Sequence, residues 1–408
     1  MRRVAITGLG IASALGLEVN EVEKNLRQGK SGITFCPLFE EHGFVSKVAG
    51  WMPEWDAPQL LPRKSLKTMG RGSEFTSYAG LKAAEDSGLS EAEVQSHRCG
   101  VLIGCGEGST MDMFEAAWAM KEHNKPRRVG IRVPSTMGSS RSANLTMLLK
   151  NRGVSMGISD ACATGLVNIG YAYQLVKWGL QDRVFAGGGE SCDWAGSAFF
   201  DAMGVLSTKF NDTPGKASRP FDRDRDGFVM GEGGGVVVVE ELGQAMSRGA
   251  KIYGEILGYA SNCDGGYSMV APFPDGAEGC IRTALQQAGV QSSEIDYINT
   301  HGTSTMAGDA SEIEAINRIF TNHLPMLTST KSQIGHSIGA AGALELIAAL
   351  LMLNGSFIAP SLNIENLDEK CQYGNIVTAL REVTFDTFLT NNFAFGGSNA
   401  AMIVRKFR

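Results

Sequence analysis

The sequence predicts an α/β protein, on three observations. Short β-rich runs alternate with longer stretches of helical pattern along the chain. Many of the 51 glycines gather where those runs end, at Gly104, Gly106 and Gly108, at Gly187, Gly188 and Gly189, and at Gly233, Gly234 and Gly235. A residue without Cβ allows tight turns and close backbone approach at such points. Apolar residues make up 43% and charged residues 20% of 408, ordinary values for a protein with a large core.

The first strand is expected at 4–7, directly after Met1-Arg2-Arg3. Further strand-like runs follow at 101–103, 154–158, 184–186 and 236–239. A second strand-rich series begins at 252–257 and continues through 297–299, 327–329, 393–395 and 401–404. The two series divide the chain into an N-terminal half, 1–250, and a C-terminal half, 251–408. Their order of elements suits a duplication, although their residues are too dissimilar to show one. No solenoid period or low-complexity segment interrupts them.

A formal net charge of -6 argues against broad nucleic-acid binding, because neutralising phosphates needs a basic face. No run approaches the roughly 20 apolar residues that span a bilayer, and the N-terminus lacks a signal-peptide core. A cytoplasmic protein with no membrane partner is expected. The eight cysteines contain no C-x-x-C pair and no regular spacing, so neither a zinc site nor a disulfide framework is predicted, and no metal ligand is assigned.

Cys162 follows the run 154–158 and precedes 163–176, which is apolar on most sides, as a buried helix should be. A thiol at a helix start meets the positive end of the dipole and free N–H groups. Its pKa is expected to fall below about 8.5, making thiolate available near neutral pH. Taken alone, Cys162 reads equally well as a small residue packed at a strand-helix junction. His301, in 300–305, and His336, in 331–342, both follow β-like runs among Gly, Ser and Thr. The carboxyl ends of strands are where open α/β sheets place ligands. His42, His97, His123 and His323 lie in polar surroundings and read as surface residues.

Taken together, Asp160-Ala161-Cys162-Ala163-Thr164-Gly165, His301-Gly302-Thr303-Ser304-Thr305 and Gly335-His336-Ser337-Ile338-Gly339-Ala340-Ala341-Gly342 resemble the β-ketoacyl-acyl-carrier-protein synthases of the thiolase superfamily. Phe200-Asp201-Ala202-Met203-Gly204 and Phe393-Ala394-Phe395-Gly396-Gly397-Ser398-Asn399 extend the resemblance nearly end to end. Three separated motifs in order make it specific, and the bacterial synthase I type is the nearest flavour. The resemblance implies a duplicated, five-layered α-β-α-β-α thiolase fold. It implies a homodimer, or a heterodimer with a paralogous subunit, acting in fatty-acid elongation.

By the same resemblance, Cys162 carries the acyl group as a thioester, and the backbone N–H groups of Cys162 and Phe395 form the oxyanion hole. His301 and His336 donate to the enolate left when malonyl carrier protein loses carbon dioxide, and Lys331 organises the site electrostatically. Glu312 ties the lysine and histidine loops together. Thr303 and Thr305 contact pantetheine, and Phe200 and Asn399 bind substrate. Glu345 matches a glutamate near a structural cation, or is a helix-surface residue. No cofactor is implied, since phosphopantetheine arrives on the acyl carrier protein. Docking of that acidic partner needs basic residues, for which Arg63, Lys64, Lys67, Arg71, Arg127 and Arg128 are the candidates, with Lys125 and Arg132 beside them.

Two departures stand out. Glu107 occupies a position where relatives carry glycine or an apolar residue facing the acyl pocket, and Asp160 stands where Ser or Thr is usual. A carboxylate turned inward would oppose long alkyl chains and favour short, polar or unsaturated acyl groups; turned outward, it would do nothing. A polyketide or aryl-polyene ketosynthase is the alternative enzyme. A catalytically silent chain-length factor is a non-enzyme alternative, but such partners generally lack the nucleophile that is present here. A degradative thiolase would need a second cysteine near the C-terminus, and none follows Cys371.

Overall fold

The computed structural model describes residues 1–266 and 268–408. Ten strands form one wrapped sheet. The first half supplies β1 (Val4–Ser13), β2 (Cys99–Gly104), β3 (Ser155–Met156), β4 (Arg183–Glu190) and β5 (Gly233–Glu241). The second supplies β6 (Gly254–Cys263), β7 (Tyr297–Asn299), β8 (Met326–Thr328), β9 (Thr387–Phe393) and β10 (Ser398–Arg405). Their order across the sheet is β8-β7-β9-β10-β6-β1-β5-β4-β2-β3.

The pairing sense repeats between the halves. β1 runs antiparallel to β5, β5 antiparallel to β4, and β4, β2 and β3 run parallel. In the second half β6 is antiparallel to β10, β10 antiparallel to β9, and β9, β7 and β8 are parallel. One topology is therefore used twice. The halves join edge to edge where Val4, Ala5 and Ile6 pair with Ile256, Glu255 and Gly254.

Helices cover both faces. α1 (Arg71–Ser87) and α2 (Ser140–Leu149) pack together outside the first half, with α1 on β1, β4 and β5. α5 (Pro274–Ala288) and α6 (Met306–Ile319) pair outside the second, where α5 lies on β6 and β10. Between the two halves of this sheet, α3 (Thr164–Lys177) and α7 (Ala341–Gly355) pack against each other, while α4 (Trp194–Ala202) stands beside the site. The result is the five-layered thiolase arrangement. Apart from Glu345, its one charged residue, α7 is apolar nearly all round, as a helix buried on every side should be. The stretch Ile338–Gly355 has the length and hydropathy of a bilayer span, but 89% of it lies inside the protein. Gly165 permits the central contact, since a Cβ there would lie 2.8 Å from the backbone nitrogen of Ala343.

Some strand limits differ from expectation. The run 154–158 contributes only Ser155–Met156 to the sheet, at its exposed edge. The run expected at 393–395 is the end of a strand, not its centre: β9 stops at Phe393, and Gly396 and Gly397 take φ of 86° and 75° to turn the chain into β10. Those left-handed values are open to glycine at little cost.

Candidate active site

Cys162 sits in a one-turn 3-10 segment, Ala161–Ala163, that leads into α3. Ala161 before it has φ of 43°, a conformation an L-residue rarely adopts. The corresponding turn of the other half, Ile338–Ala340 ahead of α7, has the same feature at Ile338, φ 39°. Strain of this kind is held in place by surrounding packing and clusters at functional sites. The thiol is buried, receives a hydrogen bond from the Phe395 backbone, and lines a cavity of about 340 Å³ with Phe395, His301 and His336.

The expectation of a low thiol pKa is corrected. Burial pushes the Cys162 thiol up to about 12, outweighing Lys331 and the Phe395 N–H, which act downward; the carboxyls of Glu107 and Glu190 add to the rise. A helix start is only a partial charge, whereas removing a thiolate from water acts on a full one. The Cys162 sulfur therefore rests as a thiol near neutral pH.

His301 follows β7, and its ring stands perpendicular to that of His336, with centroids 5.3 Å apart. His336 does not directly follow a strand: the short helix Lys331–Ile334 intervenes after β8. Its backbone is held at Val229 and Gly231, by hydrogen bonds of 2.7 and 2.9 Å. Burial, and then the charge of Lys331, push both imidazoles well below their ordinary pKa. They are neutral near pH 7. Nδ1 of His301 lies 3.3 Å from both Lys331 Nζ and Asn392 Nδ2. Facing two donors, Nδ1 accepts, and the proton sits on Nε2.

Lys331 is 1% exposed. Its ammonium donates to the His301 carbonyl at 2.6 Å and to Glu345, whose other oxygen accepts from Asn392 at 2.7 Å. The helix-surface reading of Glu345 is corrected: it is fully buried on α7 and serves as the counter-ion of Lys331. Glu312 accepts from the backbone N–H groups of His301 and Gly302, at 2.8 and 2.7 Å, and from Asn391 at 2.6 Å. It thus ties the His301 loop to β9, and the lysine is tied by Glu345 instead. Burial pushes the Glu312 carboxyl up to about 7. Asn391, Asn392 and Glu190 were not singled out from sequence as site residues. The buried polar pair Asn391-Asn392 directly ahead of the Phe393-Ala394-Phe395 motif was the available signal.

Residues 1–245 match the family description "Beta-ketoacyl synthase, N-terminal domain", and residues 253–365 match its C-terminal domain. The chain is 46% identical over 409 residues to 3-oxoacyl-[acyl-carrier-protein] synthase 1 of Haemophilus influenzae, covering 100% of both chains. It is likewise 46% identical to the Escherichia coli K12 protein of that name over 410 residues, again covering all of both. The chain belongs to the β-ketoacyl synthase family. It is a condensing acyltransferase, which forms carbon-carbon bonds. A crystal structure of a β-ketoacyl synthase from Burkholderia phymatum matches this synthase with a TM-score of 0.94 at 34% identity, covering both chains fully. A type II polyketide ketosynthase in complex with its acyl-carrier protein matches with a TM-score of 0.91 at 28% identity, again over both whole chains.

Elsewhere in the synthase, Thr303, Thr305, Phe200 and Asn399 all line the cavity. The two threonine hydroxyls are 2.9 Å apart. The Asn399 amide nitrogen is committed to Asp264 and Asn262, at 2.7 and 3.0 Å, so it shapes the wall from within the protein. Glu107 is partly exposed as a residue, but its Oε1 is enclosed without a partner and its Oε2 turns toward Gly196 on α4. It does not line the 340 Å³ cavity. Burial, then Glu190 and Asp193, push its carboxyl well above the usual range against the opposing pull of Arg141. Glu190 itself accepts from the backbone of Gly106, Glu107 and Gly339 at 2.6, 3.2 and 3.3 Å, joining the loops on either side of Cys162.

Of the docking candidates, Arg63, Lys64, Lys67, Lys125, Arg127 and Arg128 are exposed, with no ion pair among the described residues. Arg71 differs from the other candidates: it is held on buried Glu232 at 2.6 and 2.8 Å and on the Met52 carbonyl at 2.9 Å, so its charge is already matched within the protein although 36% of its side chain is exposed. Arg132 is paired with Glu115 at 2.6 Å.

Proposed function

We propose that this synthase acts as a 3-oxoacyl-acyl-carrier-protein synthase in fatty-acid elongation. The observation that carries the reading is the meeting of Cys162, the Phe395 N–H and two neutral imidazoles in one cavity. In the first half-reaction, Cys162 gives up its proton, attacks an acyl thioester of the carrier's pantetheine arm and releases the carrier thiol. Phe395 N–H, already directed at sulfur, and Cys162 N–H hold the tetrahedral oxyanion. Thr303 and Thr305 bind the arm on the cavity wall.

In the second half-reaction, malonyl carrier protein enters and loses carbon dioxide. The electron pair left behind forms an enolate, stabilised by N–H donors of His301 and His336. Neutral donors suit this role, and Lys331 fixes the tautomer of His301. The enolate carbon attacks the Cys162 thioester, giving a 3-oxoacyl carrier protein and freeing the sulfur. Lys331, Glu345 and Glu312 act by positioning. No cofactor or metal enters these steps.

The exposed basic residues Arg63, Lys64, Lys67, Arg127 and Arg128 form the docking surface for the acidic carrier. The sheet edge at β3, with Met156 and nearby Met147 exposed, is offered to a second copy of the chain as a homodimer interface. The reaction is placed in the cytoplasm, where carrier and dimer meet. A second reading, a type II polyketide or aryl-polyene ketosynthase, rests on Glu107, whose enclosed carboxyl lies outside the Cys162 cavity beside α4 and would oppose a long alkyl chain only where that chain extends past it.

Incubation with acyl carrier protein and then malonyl carrier protein tests the reading. An acyl adduct on Cys162 by intact mass, followed by release of a 3-oxoacyl product, is expected. An adduct on another cysteine, or retention of the acyl group after malonyl addition, overturns it.

A further inference from the structure

We propose that Cys162, His301 and His336 form a three-ligand site for a thiophilic divalent cation of the zinc type, which masks the nucleophile reversibly. Their ligand atoms all lie within 4.8 Å of one another, and all three residues are buried. One sulfur and two imidazole nitrogens suit zinc or cobalt and exclude magnesium and calcium, which prefer oxygen. With zinc bonds of about 2.0–2.3 Å, the ligands must close by roughly 1 Å around the ion. Three protein ligands leave a fourth position, and the 340 Å³ cavity supplies room there for water. The spacing of cysteines in the sequence gives no hint of such a site, because its ligands come from both halves.

The two imidazoles are not equally ready. Nδ1 of His336 is buried with no hydrogen-bond partner, so its tautomer is unconstrained, and one nitrogen can carry the proton while the other ligates. Nδ1 of His301 faces Lys331 and Asn392, which keep its proton on Nε2. Ligation through Nε2 moves that proton to Nδ1 and displaces the approach of Lys331, which keeps its bonds to Glu345 and the His301 carbonyl. The thiol proton passes to solvent as the sulfur-metal bond forms, so binding releases one proton net. Lys331 opposes the ion through both its charge and the tautomer it enforces. It therefore guards the nucleophile against metal capture.

The site is read by binding and does not depend on the condensation reaction. Cobalt(II) chloride is titrated into the full-length protein and followed by the thiolate-to-cobalt charge-transfer absorption. Zinc chloride is then used to displace it, and variants are checked for folding by circular dichroism. One equivalent per chain is expected. The band is absent in Cys162→Ser, affinity falls about tenfold or more in His336→Ala, and it rises about tenfold in Lys331→Met. In the unmodified protein, zinc slows alkylation of Cys162 at least tenfold, a chelator restores it, and magnesium has no effect. Failure of zinc to protect Cys162, or a cobalt band retained in Cys162→Ser, overturns the proposal even if a variant misfolds.

Discussion

Lys331 and Glu345 form an ion pair sealed beneath the active-site histidines, with side chains 1% and 0% exposed. The pair joins the loop after β8 to the core helix α7, and Asn392 completes it from β9. Breaking such a pair strands a charge where water cannot reach it, a loss of about 3–5 kcal/mol, whereas replacing both partners by apolar groups is often close to neutral. Lys331→Met should therefore lower the urea midpoint markedly, and adding Glu345→Leu should restore most of it. Activity should not return with stability, since His301 has lost the group that fixes its tautomer. Full recovery of decarboxylation in the double variant would contradict the positioning role.

The thiol of Cys162 sets a second expectation. With its pKa pushed up to about 12 by burial, the thiolate fraction grows as pH rises, about tenfold per unit while pH stays below the pKa. Alkylation of Cys162, read by peptide mass, should keep climbing between about pH 6 and 9. A plateau below pH 8 would mean that Lys331 and the Phe395 N–H outweigh desolvation.

His301→Ala and His336→Ala should separate the two half-reactions. Their donors are needed chiefly by the enolate, so carbon dioxide release should fall by about 10²–10³ while acyl loading on Cys162 changes far less. Loading is followed by intact mass and decarboxylation by released carbon dioxide. Equal losses in both steps would argue that the histidines serve mainly to shape the cavity.

Glu107 links pH to stability. Its folded pKa is raised by burial and by Glu190 and Asp193, so the folded state holds the proton more tightly than the unfolded chain, whose glutamates titrate near about 4.3. The favourable difference is complete below that value and is lost as pH rises through the folded pKa. Glu107→Gln, neutral at every pH, should thus gain stability over the parent as pH increases from about 4.3. A constant difference from pH 4 to 8 would show that the carboxyl titrates normally.

The same residue bears on chain length. Glu107→Gly removes the carboxyl and opens space beside α4, so loading of eight- and twelve-carbon acyl groups should rise relative to four-carbon ones. Each further buried methylene is worth about 0.8 kcal/mol. An unchanged profile in the competition assay would separate Glu107 from acyl selection.

The sequence alone carried the α/β class and the motifs around Cys162, His301 and His336, because each is a local property: β-rich runs, glycines at strand ends, and short motifs such as His301-Gly302-Thr303; the roles of those residues came only with the family resemblance. What lies between motifs was out of reach. Glu345 sits in an apolar helix whose pattern says nothing about which side chain it meets, and only the packing of α7 against the β8 loop makes it the partner of Lys331. Arg71 looked like one of a basic cluster until Glu232, 161 residues away, was found clamped to it. Charge on a sequence is a formal count, whereas the electrostatics of the site depend on distance and burial. For that reason the raised thiol of Cys162, the tautomer of His301 and the enclosed oxygen of Glu107 were decided by the tertiary structure.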